Sequence, residues 1–182
     1  LPVLDVLRKN THKIIGNRSF SNDPQVVKKL GQICVKQYKS NKLGTVIKHI
    51  PSHGCATFDS HLKTPKVKLN YKDLNKIDFF PFKSNTSHFA MTAHILYSKI
   101  DKRNVATFSK KIISQIIRKN IGFKGILISD DISMKALKHD LVTNAKKSLT
   151  AGCNIVLYCA GNYKDSSKLL KELPFIDNFT TK

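Results

Sequence analysis

The sequence predicts an α/β protein built on parallel strands. Short apolar runs alternate with stretches that carry apolar residues at helical spacing. The runs are apolar throughout, as strands covered on both faces are, and parallel strands need a helical crossover between them. Polar residues stand where the runs end: Asp5, Lys48 with His49, His94, and Asp130 with Asp131. α/β barrels carry their chemistry at the C-terminal strand ends, and open α/β sheets do so in a crevice there. Either architecture gathers these groups on one rim.

The elements follow in order. LPVLDV, residues 1–6, is a first strand. Asp23-Pro24 opens a helix, with a capping carboxylate before a proline at the first helical position. Val26, Val27, Leu30, Ile33 and Cys34 mark its apolar face. GTVIKHI (44–50) and FAMTAHILY (89–97) are the second and third strands. The intervening segment 66–88 breaks the rhythm; it contains Pro81 and phenylalanine clusters and predicts one or two short helices. Ser109 caps a helix carrying Ile112, Ile113, Ile116 and Ile117. GILISDD (125–131) is a fourth strand. Leu141, Val142, Ala145 and Leu149 form a helical face that Gly152 stops. NIVLY (154–158) is a fifth strand, and residues 164–172 can form a further helix.

The chain has 182 residues, 41% of them hydrophobic, enough for one domain with a buried core. No stretch approaches the roughly 20 apolar residues of a membrane span. There is no signal-peptide pattern and no initiator methionine, so the chain is expected to be part of a longer protein. The net charge is +20, but the lysines fall singly or in pairs without a long basic block. That pattern describes solvated faces rather than a nucleic-acid or membrane surface. Cys34, Cys55, Cys153 and Cys159 lack the spacing of a zinc ribbon or a disulfide framework, which suits a reducing compartment such as the cytoplasm.

The chemistry concentrates in KHIPSHGCATFDSH, residues 48–61, where His49, His53, Asp59 and His61 stand close together. Three readings compete: a metal site, a proton-transfer loop and a polar surface loop. His49 and His53 have the spacing of helical metal ligands, but Pro51 and Gly54 argue against a helix there. Histidines in loops are common and many are inert. The proton-transfer reading gains from Asp59 and His61, which can approach each other across a tight turn. A carboxylate beside an imidazole orients the ring and favours its charged form. With Asp130 as a carboxylate nucleophile on another strand end, the pair would make a two-step retaining scheme for glycosides.

KHIPSHG with FDSH, IIGNRSF (14–20), MTAHILY (91–97) and GFKGILISDDISM (122–134) together resemble the bacterial β-N-acetylhexosaminidases of glycoside hydrolase family 3. The motifs stand in the family's order along nearly the whole chain. The resemblance implies a (β/α)8 barrel, of which five strands are present as the family's third to seventh. The first two strands and the last would be absent from this single domain over residues 1–182, and the isolated chain is expected to be a fragment of doubtful activity. It also implies roles. Asp130 would be the nucleophile, and His61 the acid/base on a mobile loop, assisted by Asp59. Arg18, Lys48 and His49 would contact sugar hydroxyls. Read as residues alone, His53 would only brace the loop, Asp131 would be a structural carboxylate, and His94 would either line the pocket or be a satisfied interior polar group, the second being favoured. The implied substrate is a muropeptide bearing terminal N-acetylglucosamine, met in cytoplasmic cell-wall recycling. No metal or cofactor is implied, and neither a nucleic-acid nor a membrane partner.

Ser52 stands where the family carries glycine, and Asn17 where it carries aspartate. Ser52 would strain the loop if that position needed a positive φ. Two alternatives to hydrolysis remain at this stage: phosphate replacing water as acceptor, and a basic binding protein or gene remnant without catalysis.

Overall fold

The structure is a computed structural model describing residues 1–181. Its centre is a parallel sheet of four strands: β1 (Val46–Ile50), β3 (Phe89–Thr92), β5 (Ile126–Asp131) and β6 (Ile155–Leu157), neighbours in that order. A second parallel pair joins β2 (Lys66–Val67) to β4 (Leu96–Tyr97). The helices are α1 (Pro24–Ser40), α2 (Tyr71–Lys76), a helix of π geometry (Ile112–Ile121), α3 (Leu141–Ala151), α4 (Tyr163–Glu172) and α5 (Asn178–Thr181). Among the described residues, no helix is long and apolar enough to cross a membrane.

Several local signals act as expected. The Asp23 carboxylate accepts from the Gln25 amide ahead of Pro24. Asp140 caps α3, and Gly152 ends it with φ +116. The Ser109 hydroxyl accepts from the Ile112 amide, and the helix it opens buries Ile112, Ile113, Ile116, Ile117 and Ile121.

Two strand assignments need correction. Residues 1–6 lie beside β1 but pair with it through one bridge only, Val3 to Lys48. Beyond that bridge the ladder is replaced by side-chain bonds: the Asp5 carboxylate accepts from the His49 amide, and the Asp5 carbonyl accepts from the Ser19 hydroxyl. FAMTAHILY is two strands rather than one. Residues 89–92 pair with β1 and β5, whereas the Leu96 amide turns to the Pro65 carbonyl and carries the chain into β4.

The face of α1 is also rotated from the expected one. Val27, Gly31 and Val35 are buried, while Val26, Leu30 and Ile33 are exposed. Gly31 sets this orientation. A Cβ there would stand 2.3 Å from Leu4 Cδ2, so the helix seats on Leu4 through its glycine.

The main core packs Leu4, Val27, Ile47, Ile50, Phe79, Tyr97, Ile112, Ile117 and Leu127 between sheet and helices. A second cluster under α3 and α4 holds Ile132, Val142, Ala145 and Leu169. Together they fix the ends of β1 and β5, where the chemistry-bearing residues stand.

Candidate active site

Near the end of β1 stands His49, whose Nδ1 lies 2.7 Å from Asp5 Oδ2. Asp5 is fully buried and also accepts from the His53 amide at 2.6 Å. Burial alone would raise the Asp5 pKa, but the His49 ring and the His53 amide outweigh it and hold the carboxyl below its ordinary value. Asp5 and the end of β1 are thus one bonded unit.

Two close approaches shape this loop. A Cβ on Gly54 would come within 2.0 Å of the Val6 carbonyl oxygen, so only glycine fits there. Ser52 is not at a positive φ, which removes the expected strain. Its carbonyl accepts from the buried Tyr97 hydroxyl, and its own hydroxyl accepts from the Gly54 amide at 3.1 Å.

His53 is buried, with Nε2 3.0 Å from the Ser60 hydroxyl. Its Nδ1 has no hydrogen-bond partner among the described residues. Desolvation, followed by the His49 charge, lowers its pKa to about 4. A proton on Nδ1 would face no acceptor, so the neutral ring is the stable form.

Asp59 and His61 meet as their spacing predicts. One Asp59 oxygen lies 2.8 Å from both His61 Nδ1 and the His61 amide. Burial opposes ionisation of Asp59, but these contacts prevail and lower its pKa. A carboxylate can only accept, so His61 Nδ1 carries the shared hydrogen and Nε2 is left for another partner. The His61 side chain is 58% exposed.

The two aspartates ending β5 differ in employment. Asp131 accepts from the Ser133 amide, the Ser133 hydroxyl and the Cys159 amide, which makes it a brace for two loops. Asp130 accepts from the Asp131 amide at 2.9 Å and is half-buried. Its charge favours the protonated forms of both His53, in the loop after β1, and His94, in the segment after β3.

His94 is fully buried, as expected of a satisfied interior group. Its Nδ1 lies 2.7 Å from the Thr107 hydroxyl and its Nε2 3.0 Å from the Asp131 carbonyl. The carbonyl requires a hydrogen on Nε2. Desolvation lowers the His94 pKa despite the pull of Asp130.

Lys48 lies on β1 with its backbone held by Pro2 and Leu4. The exposed Arg18 guanidinium returns to the Ile14 carbonyl of its own turn. Neither side chain bonds to the other candidate residues. Among the described residues, no three histidine, cysteine, aspartate or glutamate side chains gather as a metal site would require. Sequence reasoning missed the pairing of Asp5 with His49, although the strand-end pattern named both. It passed over Ser60, in plain view within FDSH. Thr107 left no signal at all.

A family model described as the glycosyl hydrolase family 3 N-terminal domain matches residues 1–177. The chain belongs to glycosyl hydrolase family 3. Family relatives include a "Beta-hexosaminidase" of Nitrosomonas eutropha, 37% identical over 163 residues, covering 87% of this chain and 46% of that protein. A "Beta-hexosaminidase" of Bordetella avium is 34% identical over 180 residues, covering 96% and 50% respectively. The chain therefore spans about half the length of these curated relatives. Among solved family structures, NagZ from Neisseria gonorrhoeae in complex with N-trifluoroacetyl-D-glucosamine superposes with a TM-score of 0.87 at 31% identity, covering 99% of this chain and 53% of that one. A family 3 β-N-acetylglucosaminidase from Paenibacillus gives 0.87 at 26% identity, covering 94% and 34%. These likenesses make the parallel sheet described above part of the family's (β/α)8 barrel.

Proposed function

We propose that this chain carries the catalytic chemistry of a retaining β-N-acetylhexosaminidase that releases terminal N-acetylglucosamine from cell-wall muropeptides in the cytoplasm. The observation that carries the reading is the bonded Asp59–His61 pair, on a loop that Ser60 ties to His53, whose ring in turn feels the charge of Asp130. Relatives named as hexosaminidases and a neighbour solved with an N-acylated glucosamine support it.

Asp130 is weakly engaged and attacks the anomeric carbon, forming a glycosyl ester. His61, held through Nδ1 by Asp59, delivers a proton from Nε2 to the departing oxygen. The same Nε2 then takes a proton from water, which releases the sugar with its configuration retained. Lys48, His49 and Arg18 supply hydrogen bonds to the sugar hydroxyls.

The test is turnover of a chromogenic β-N-acetylglucosaminide by the protein and by Asp130→Ala. Turnover lost in the variant supports the reading. Equal turnover in both, or none in either, contradicts catalysis through Asp130 in this chain. Running the assay in phosphate and analysing the product for a sugar 1-phosphate separates hydrolysis from phosphorolysis.

A further inference from the structure

Ser60 is an outlier in its own loop. Phe58, Leu62 and the His61 side chain are 45%, 67% and 58% exposed, yet Ser60 between them is 3% exposed. It is held from two sides. Its hydroxyl meets His53 Nε2 at 3.0 Å, from the loop that follows β1. Its carbonyl accepts from the Ala136 amide at 3.2 Å, from the segment that follows β5 and Asp130. The Thr64 hydroxyl adds a bond to the Ala136 carbonyl, closing the loop onto the same residue. The His53 that anchors Ser60 is itself fixed, because its amide is bonded to buried Asp5.

We propose that Ser60 is a positioning residue, a two-sided clamp that sets the Asp59–His61 pair relative to the strand carrying Asp130. The proposal rests on the reading of His61 as acid/base. An imidazole on a free loop samples many placements, and proton transfer requires one within hydrogen-bond reach of the leaving oxygen. Ser60 supplies that restriction one residue away from His61 without touching the sugar. His53 is the buried post to which the clamp is tied. Its unpartnered Nδ1 leaves Nε2 as the ring's one engaged nitrogen.

Three variants of the whole chain test this: Ser60→Ala, Ser60→Thr and His53→Phe. The first readout is amide hydrogen exchange. Ser60→Ala and His53→Phe are expected to raise exchange in residues 57–63 and at Ala136, with α1 and β5 unchanged, and Ser60→Thr is expected to restore protection. The second readout is kcat/KM on two substrates. A disaccharide needs its leaving oxygen protonated, and a dinitrophenyl glycoside does not. Ser60→Ala is expected to lower kcat/KM at least about tenfold for the disaccharide and less than about threefold for the dinitrophenyl substrate. Unchanged exchange in Ser60→Ala overturns the clamp. Raised exchange with equal losses on both substrates overturns the positioning role. A wild-type chain that turns over neither substrate fails the acid/base reading instead, and the exchange comparison then decides the clamp by itself.

Discussion

His49 Nδ1 and Asp5 Oδ2 stand 2.7 Å apart in the interior, joining the chain's first apolar segment to the end of β1. The same carboxylate receives the amides of His49 and His53, so one buried charge orders the end of β1 and the start of the loop that follows it. Removing one partner of a buried pair leaves the other uncompensated. Asp5→Asn is therefore expected to lower the unfolding free energy by about 3 kcal/mol. Urea denaturation checks this, and a loss below about 1 kcal/mol would show that Asp5 is not the organiser described here.

Acid should weaken the fold in two stages. His53 titrates near 4 in the folded chain, against an ordinary value of 6.5. The unfolded chain therefore takes up this proton first as the pH falls. The stability held by neutral His53 is complete above pH 6.5, declines toward pH 4 and is then fully lost. It amounts to about 3 kcal/mol. Asp5, with its pKa depressed from 3.8, adds a further loss as the pH falls below that value. Unfolding free energies at about pH 7.5 and about pH 4.5 should differ accordingly, and His53→Gln should flatten the difference. Equal slopes for the two proteins would contradict the assignment.

Two glycines should respond very differently to alanine. At Gly54 the added Cβ meets the Val6 carbonyl at 2.0 Å, a backbone atom that cannot step aside. Gly122 has φ +79 but open space around it. Gly122→Ala is expected to cost about 1–2 kcal/mol from backbone strain alone. Gly54→Ala should cost more than about 3 kcal/mol or prevent folding. Thermal melts of both variants give the comparison.

The rotated face of α1 makes a similar contrast. Val35→Ala should cost about 2 kcal/mol, because it empties a buried site. Ile33→Ala, at a position 46% exposed, should stay within about 0.5 kcal/mol. Equal costs would mean that the helix seats on the face its periodicity suggested.

That contrast also shows where sequence reasoning succeeds and fails. Asp23-Pro24, Ser109 and Gly152 mark helix ends through local backbone chemistry, and each was legible. The isoleucines at 112, 113, 116 and 117 were legible because nothing competes with them for the core. On α1, Val26, Leu30 and Ile33 looked inward by spacing, but Gly31 decides the packing. The reason lies across the chain at Leu4, which no local pattern reports. The same holds for the site. Asp59 and His61 are two residues apart and could be paired by inspection. Asp5 and His49, or His94 and Thr107, meet only after the chain has folded. Asp130 and Asp131 look alike in sequence, and the loops that bond Asp131 separate them.

In the proposed mechanism Asp130 forms the covalent bond to the sugar. The most direct measurement is trapping with a 5-fluoro N-acetylglucosaminyl fluoride, followed by intact-mass analysis and peptide mapping. The expected result is one added glycosyl group per chain, carried on the peptide spanning residues 126–134 at Asp130 and absent from Asp130→Ala. An adduct on another carboxylate, or steady turnover with no adduct at all, would contradict it.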